Sequence, residues 1–145
     1  MTPLDLTLQS PRSAGERLDG YCFLPRTIDK ARAKLPGGVL GAYHIEGASA
    51  DLLAALRVGV EEFCSAVAQA ASDDDVVTWL KVHGDCTNAD RFNAEKLAAR
   101  IADVQPHQAA SFRSEHPALS PHEIDRFVDA LDLDDGRCFA TPIER

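Results

Sequence analysis

The chain has 145 residues and a mass of 15.7 kDa, the length of one ordinary domain, so we expect residues 1–145 to form a single helical domain. Hydrophobic residues make up 45% and charged residues 26%, which excludes long disorder, collagen-like repeats and small disulfide scaffolds. No apolar run approaches the ~18 residues that span a bilayer, and residues 1–10 carry an acid where a signal peptide carries positive charge. We therefore expect a cytoplasmic protein with no membrane partner.

The net charge is negative, and the charged residues are unevenly distributed along the chain. Fifteen Lys and Arg against 23 Asp and Glu give a net charge of −8, so counterion release offers no general driving force and we expect no nucleic-acid partner. Residues 1–40 nevertheless carry six bases and four acids. Four of these six bases lie within Arg26–Lys34, and this segment is therefore the candidate anion site.

The first predicted helix runs from about Pro25 to Leu35. Pro25 suits its first turn, because the missing N–H has no helical partner there, and Pro36 with the two glycines after it ends the helix. Its apolar residues recur at the spacing of one buried stripe. They are Leu24, Ile28, Ala31 and Leu35. The glycine-rich segment 36–49 follows, and within it residues 39–46 are predicted to form a short extended stretch.

Three further helices are predicted before residue 85. Ser49 is the expected N-cap of Ala50–Arg57. The next helix shows a buried apolar face. That face comprises Val60, Phe63, Cys64, Val67, Ala68 and Ala71. Ser72 and the three aspartates after it open another helix, which ends at Gly84, because acids are favoured beside the free N–H groups of a helix start.

Two more helices are predicted in the C-terminal third. Thr87 with Asp90 forms a weak capping box before a narrow apolar stripe suited to close helix packing. The stripe comprises Ala94, Leu97, Ala98 and Ile101. Residues 120–123, Ser-Pro-His-Glu, form the clearest start signal, for a helix that ends near Asp132 and leaves residues 134–145 as tail. The predicted fold is all-α, with five to six short helices and a glycine-rich loop after the first long helix.

The first predicted helix also carries a family resemblance. Leu24-Pro25-Arg26 followed by Ile28-Asp29-Lys30 resembles the signature of the bacterial domain of unknown function 5069 family. Other pieces are similar in order and spacing. They are Asp5-Leu6-Thr7, Ser10-Pro11-Arg12, Gly20-Tyr21, Gly41-Ala42-Tyr43, Phe63, Asp73, Trp79-Leu80, His116-Pro117 and Asp134-Asp135-Gly136-Arg137. The resemblance is closest over residues 4–83, and it implies a bacterial source but no particular reaction.

Five polar residues are the candidate site. On a helical wheel Arg26, Asp29 and Lys30 point away from the apolar stripe, towards water or another element. One interpretation is a site for a carboxylate or phosphate at the helix N-terminus, with Tyr43 and His44 completing the pocket and His44 as a general base. The alternative is a pair between Arg26 and Asp29 on a solvated face, with His44 partly exposed and making one backbone hydrogen bond.

The sequence indicates no metal and no cofactor. The glycines at 37, 38 and 41 lack the spacing of a nucleotide-binding motif, and no Glu-x-x-His or complete zinc-site spacing occurs. The four cysteines are expected to be reduced, with Cys64 buried as a small core side chain.

Two functions of different class remain open, and the sequence leaves open whether the protein is an enzyme. The first is an uncharacterised helical binding or interaction module, with a homodimer as one arrangement, because the alanine-rich stripes allow close helix contacts. The second is a small-molecule site for an anionic ligand. Its walls would be Arg26, Asp29, Lys30, Tyr43 and His44. Convergence of these side chains on one pocket would favour the second function.

Overall fold

The computed structural model describes residues 1–104, 114 and 126–139. Within them the chain is mostly helical, which confirms the fold class at that level, and seven helices are present against the five to six predicted. The helices are α1 (Leu24–Ala33), α2 (Ala48–Ala55), α3 (Val60–Gln69), α4 (Asp73–His83), α5 (Ala89–Ala98), α6 (Ile101–Val104) and α7 (Phe127–Phe139). None of these described helices is long and apolar enough to cross a bilayer.

A small antiparallel hairpin precedes α1. Its strands are β1 (Arg17–Leu18) and β2 (Tyr21–Cys22), with Leu18 opposite Tyr21. The turn residues Asp19 and Gly20 both have positive φ, 47° and 83°, the type I′ geometry that an Asp-Gly pair favours. The predicted extended stretch at 39–46 is wrong, because Val39 forms only an isolated bridge with Asp5 and the chain then turns at Gly41, where φ is 61°.

Helix α1 lies at the centre of the molecule. Every residue from 21 to 31 is buried, and the predicted stripe as far as Ala31 belongs to one core with Phe63 and Val67 of α3 and with leucines of α2. Leu35, its last member, lies beyond the end of α1 and is half-buried. The opposite, polar face of α1 is buried as well, since the N-terminal segment and α7 cover it. Arg26, Asp29 and Lys30 thus face other elements, and the solvated-face alternative is wrong.

Helix α2 begins two residues earlier than predicted, after Gly47, whose φ is 55°. Ser49 lies in the first turn and is buried. Its hydroxyl accepts a hydrogen bond from Lys30 Nζ at 3.3 Å and lies 3.0 Å from the Thr27 hydroxyl. The prediction of Ser49 as an N-cap is wrong because its partners are side chains of α1 rather than the backbone of α2.

The buried face of α3 is narrower than predicted. Phe63 and Val67 are fully buried, whereas Cys64 is half-buried and Ala68 is exposed. The expectation of a buried Cys64 is therefore wrong. Ala66 lies on the buried face instead.

The start of α4 is as predicted. Ser72 Oγ accepts a hydrogen bond from the Asp75 backbone N–H, and the Asp75 carboxylate accepts one from the Ser72 N–H. This reciprocal capping box satisfies two N–H groups that the first turn leaves without helical partners. The predicted end at Gly84 is also confirmed.

Helix α5 packs through a different face from the one predicted. Ala94 and Ala98 are exposed, whereas Phe92 and Asn93 are buried. Asn93 is turned inward because its amide oxygen accepts from Cys22 N–H at 2.9 Å and its amide nitrogen donates to the Gly20 carbonyl. The Thr87 cap is wrong as well: Thr87 binds Asp85, and the N-cap residue is Asn88.

Helix α7 continues beyond the predicted end at Asp132. Residues 134–139, expected to be tail, are helical up to Phe139. Phe127 and Val128 are buried, and Asp135 is buried because it pairs with α1. The start signal at 120–123 lies outside the described residues.

Candidate functional site

Arg26 is neutralised by α7. Its guanidinium donates to Asp135 Oδ2 at 2.7 Å and to the Arg12 carbonyl at 3.2 Å, and the side chain is only 3% exposed. The Tyr43 ring lies against it, with Arg26 Cζ 5.6 Å from the ring centroid, and the Tyr43 hydroxyl donates to Asp135 Oδ1 at 2.7 Å. One carboxylate from α7 thus binds both the cation of α1 and the aromatic residue of the glycine-rich segment.

Lys30, one turn further along α1, is a buried ammonium of a different kind. It is 8% exposed, and among the described residues its Nζ donates to Ser49 Oγ at 3.3 Å and has no carboxylate at ion-pair distance. Burial, together with the positive charge of Arg26, lowers the pKa of Lys30 to about 8, against the opposing influence of Asp135 and Glu46. Lys30 therefore has a desolvated charge without a paired counter-charge in this part of the chain.

Asp29 belongs to a separate network on the other side of α1. Its carboxylate accepts three hydrogen bonds from Arg12, through the backbone N–H at 2.9 Å, Nε at 3.0 Å and Nη2 at 2.9 Å. Arg32 lies 3.6 Å away, and Arg12 continues to Asp73 of α4. The predicted pair between Arg26 and Asp29 is absent. Asp29 instead ties the N-terminal segment and α4 to α1.

Two cavities lie beside Lys30 and share Arg26, Lys30 and Leu131 as walls. The first has a volume of about 490 Å³ and lies between α1, residues 41–44 and α7. The second, of about 310 Å³, lies between α1, residues 46–49 and the start of α7. We call the two together the α1–α7 cleft.

The structure brings four of the five candidate residues together. Arg26, Lys30, Tyr43 and His44 line the first cavity, His44 at its exposed edge, whereas Asp29 lines neither cavity. These four residues belong to a basic turn of α1 and to the aromatic loop that follows it. The fold brings both segments to one cleft.

Three further residues of the cleft were missed by sequence reasoning. Ser49 was predicted to be a cap and Asp135 to lie in a tail, and Leu131 was not singled out. Asp135 had a signal, since it lies in the Asp134–Arg137 stretch that shares its pattern with the family. Among the described residues no group of three or more His, Cys, Asp or Glu side chains is placed to hold a metal ion.

A known protein family matches most of the chain. A family model described as "Domain of unknown function (DUF5069)" matches residues 8–137, a region that includes α1, the glycine-rich segment and Asp135. No curated protein is similar enough to the chain to be counted as a relative.

Proposed function

The chain belongs to the domain of unknown function 5069 family, and we propose that it binds a small molecule with a compact anionic group in the α1–α7 cleft. The observation that carries this proposal is Lys30, a buried ammonium whose contact is a serine hydroxyl rather than a carboxylate. A buried charge without a partner is costly, and a bound carboxylate or phosphate would supply the counter-charge.

Arg26 is not the anchor for such a ligand, because Asp135 already occupies its guanidinium. Two of the three acids of the cleft are likewise occupied, since Asp135 binds Arg26 and Tyr43 and Asp134 has an interaction of its own. The third, Glu46, is exposed and forms no ion pair with Lys30. Lys30 is thus the group whose charge a ligand would balance.

The dimensions and walls of the cleft favour a small ligand. Its larger cavity, about 490 Å³, falls within the range of ~300–1,000 Å³ typical of small-molecule sites. Leu6 and Leu131 give it an apolar side on which the uncharged part of a ligand would pack. A net charge of −8 disfavours long polyanions but has little effect on a single compact anion. If the site is enzymatic, His44 is the group placed to transfer a proton.

Thermal unfolding with phosphate, acetate, lactate and pyruvate tests this function. A ligand present at about 100 times its Kd stabilises the folded state by ~2.7 kcal/mol. We expect this stabilisation in the wild-type protein and in Lys34→Met, and its loss in Lys30→Met. Lys34 is the matched control, an exposed lysine one turn further along the same helical path and 3.7 Å from Glu61. An equal response of all three proteins to every anion would leave only salt screening and contradict the proposal.

The interaction-module function remains the second candidate, with a homodimer as its form. It is supported by Ala94 and Ala98, which are exposed one turn apart on α5 and offer a second helix a close approach. Sedimentation velocity tests it. A dimer that Ala94→Glu converts to a 15.7 kDa monomer supports this candidate, whereas a monomer at every concentration contradicts it.

A cytoplasmic location and a bacterial source are part of the same proposal. Cys22, Cys64 and Cys86 are free thiols, as expected for a protein kept in a reducing compartment. Quantitative thiol alkylation of freshly isolated protein, without added reductant, would support that location.

A further inference from the structure

We propose that Lys30 is a reactive amine, and that the ligand of the α1–α7 cleft is a small acid with a carbonyl group next to its carboxylate, which Lys30 binds as an imine. This inference rests on the proposed anion site and adds the chemical class of its ligand. It comes from the surroundings of Lys30, which differ from those of every other lysine in the chain.

The sequence has four lysines, and the other three each lie within 4 Å of a carboxylate oxygen. Lys34 Nζ is 3.7 Å from Glu61, Lys81 Nζ is 3.2 Å from Asp19, and Lys96 Nζ is 2.5 Å from Asp51. A carboxylate partner favours the charged ammonium, which has no lone pair and cannot attack a carbonyl carbon. Lys30 is the one lysine without such a partner among the described residues.

Burial acts on Lys30 in the same direction. Its pKa is lowered to about 8, so roughly a quarter of the side chain is a neutral amine at pH 7.5, against about 0.1% for a lysine with the ordinary value. Desolvation in a partly apolar pocket is a recognised way to activate a lysine nucleophile. The side chain also lines both cavities, so a ligand in the cleft lies against Lys30.

The charged and titratable groups around Lys30 allow this reaction. They are Arg26 on the same helix, Tyr43, His44 and Glu46 on the glycine-rich segment, and Asp134 and Asp135 on α7. Arg26, Tyr43 and Asp135 bind one another, and Asp134 has an interaction of its own. Ser49 Oγ holds Nζ in place, while Glu46 and His44 lie at the exposed edges of the two cavities, where His44 can exchange protons with a ligand.

The covalent step is a condensation that releases water. The neutral Lys30 nitrogen attacks the carbonyl carbon of the 2-oxo acid, and the resulting carbinolamine loses its hydroxyl group as water to give a C=N bond. The imine nitrogen takes up a proton and becomes positively charged beside the ligand's carboxylate. In the product the ligand's carboxylate therefore still lies beside a positive charge, as it did beside the ammonium. The step consumes no oxidant or reductant.

Reductive trapping tests the inference on the wild-type protein. Pyruvate with sodium cyanoborohydride at pH 7.5 should leave a secondary amine on Lys30, located by peptide mapping. We expect an excess over Lys34, Lys81 and Lys96 on the order of a hundredfold, following their neutral fractions. The rate of imine formation should rise with pH, with its midpoint near pH 8, the pKa of Lys30. Lys30→Met should show no adduct at that position and the same slow labelling elsewhere.

Lactate separates this inference from the proposed function, since it carries the same carboxylate but no carbonyl group. If lactate and pyruvate stabilise the protein equally and trapping leaves no adduct on Lys30, the anion site stands and the imine is overturned. If neither compound stabilises the protein and no adduct forms, both proposals fail. Labelling spread evenly over the four lysines, or confined to the amino group of Met1, would also overturn the inference.

Discussion

Two neighbouring cations on one helix face, Arg26 and Lys30, are stabilised in different ways. Arg26 has a carboxylate at 2.7 Å and a carbonyl at 3.2 Å, so its charge is buried with partners. Lys30 instead donates a hydrogen bond to the uncharged hydroxyl of Ser49. Removing one partner of a buried ion pair costs several kcal/mol, because the remaining charge has no compensation, whereas removing an unpaired buried charge relieves a desolvation penalty. The two sites therefore respond to substitution with opposite signs.

Asp135→Ala should lower the free energy of unfolding by about 3–5 kcal/mol, because it leaves the Arg26 guanidinium buried without its carboxylate. Asp129→Ala is the matched control on the same helix. It breaks an exposed pair with Arg126, which is worth less than about 1 kcal/mol. Urea denaturation measures both, and similar losses for the two variants would contradict the buried pair.

Lys30→Met should raise the free energy of unfolding at pH 7, by up to about 3 kcal/mol if the whole pKa shift is recovered. The folded protein loses the Lys30 proton near pH 8, whereas the unfolded chain keeps it to about pH 10.5, the ordinary value for lysine. Between these values the unfolded state binds more protons, so the wild type gains stability as the pH rises. The advantage of Lys30→Met should accordingly shrink between pH 8 and pH 10.5. Urea denaturation at pH 7 and pH 10 tests this, and an unchanged difference would contradict it.

At the scale of single elements, a serine or threonine caps a helix only where its hydroxyl binds the backbone of that helix. Ser72 binds the backbone of its own helix three residues on, and its cap was predictable from the sequence. Ser49 binds α1, and Thr87 binds Asp85, so neither caps a helix although both have the appropriate side chain. The Asp19–Gly20 turn is the opposite case. The Asp-Gly pair is a local signal for a hairpin, but no hairpin was predicted there.

Ser72→Ala should cost about 1 kcal/mol, the usual value for losing an N-cap hydroxyl. Ser65→Ala, at an exposed position in the middle of α3, should be close to neutral. Thermal unfolding of the two variants gives the comparison, and an equal effect would mean that the capping box adds nothing to α4.

At the scale of the whole molecule, α1 is buried on all sides. This explains which contacts of α1 could not be predicted from the sequence. Its apolar stripe follows a local period and was predictable. Its polar face is covered by partners far away in sequence, Arg12 for Asp29 and Asp135 for Arg26, at separations of 17 and 109 residues. Helical periodicity carries no information about such pairs. It placed Arg26 and Lys30 on one polar face of α1, but it could not show that Asp135 pairs with Arg26 and not with Lys30.

Phe63→Ala should destabilise the protein by about 3–5 kcal/mol, because Phe63 is fully buried where α3 meets α1 and its removal leaves a cavity. Leu8→Ala is the control, a large apolar residue that is 78% exposed and should be nearly neutral. Chemical denaturation at pH 7 tests the pair. A small loss for Phe63→Ala would contradict the central position of the α1–α3 contact.

The binding site, the reactive amine and the stability effect all depend on the protonation state of Lys30. NMR can observe that state directly. The measurement is a pH titration of the lysine side-chain resonances, assigned with Lys30→Met, with and without added phosphate or lactate. The account predicts a midpoint near pH 8 for Lys30 in the free protein, which moves upward when one of these anions binds and stabilises the ammonium. A midpoint near the ordinary lysine value in the free protein, or one that neither anion moves, would contradict it.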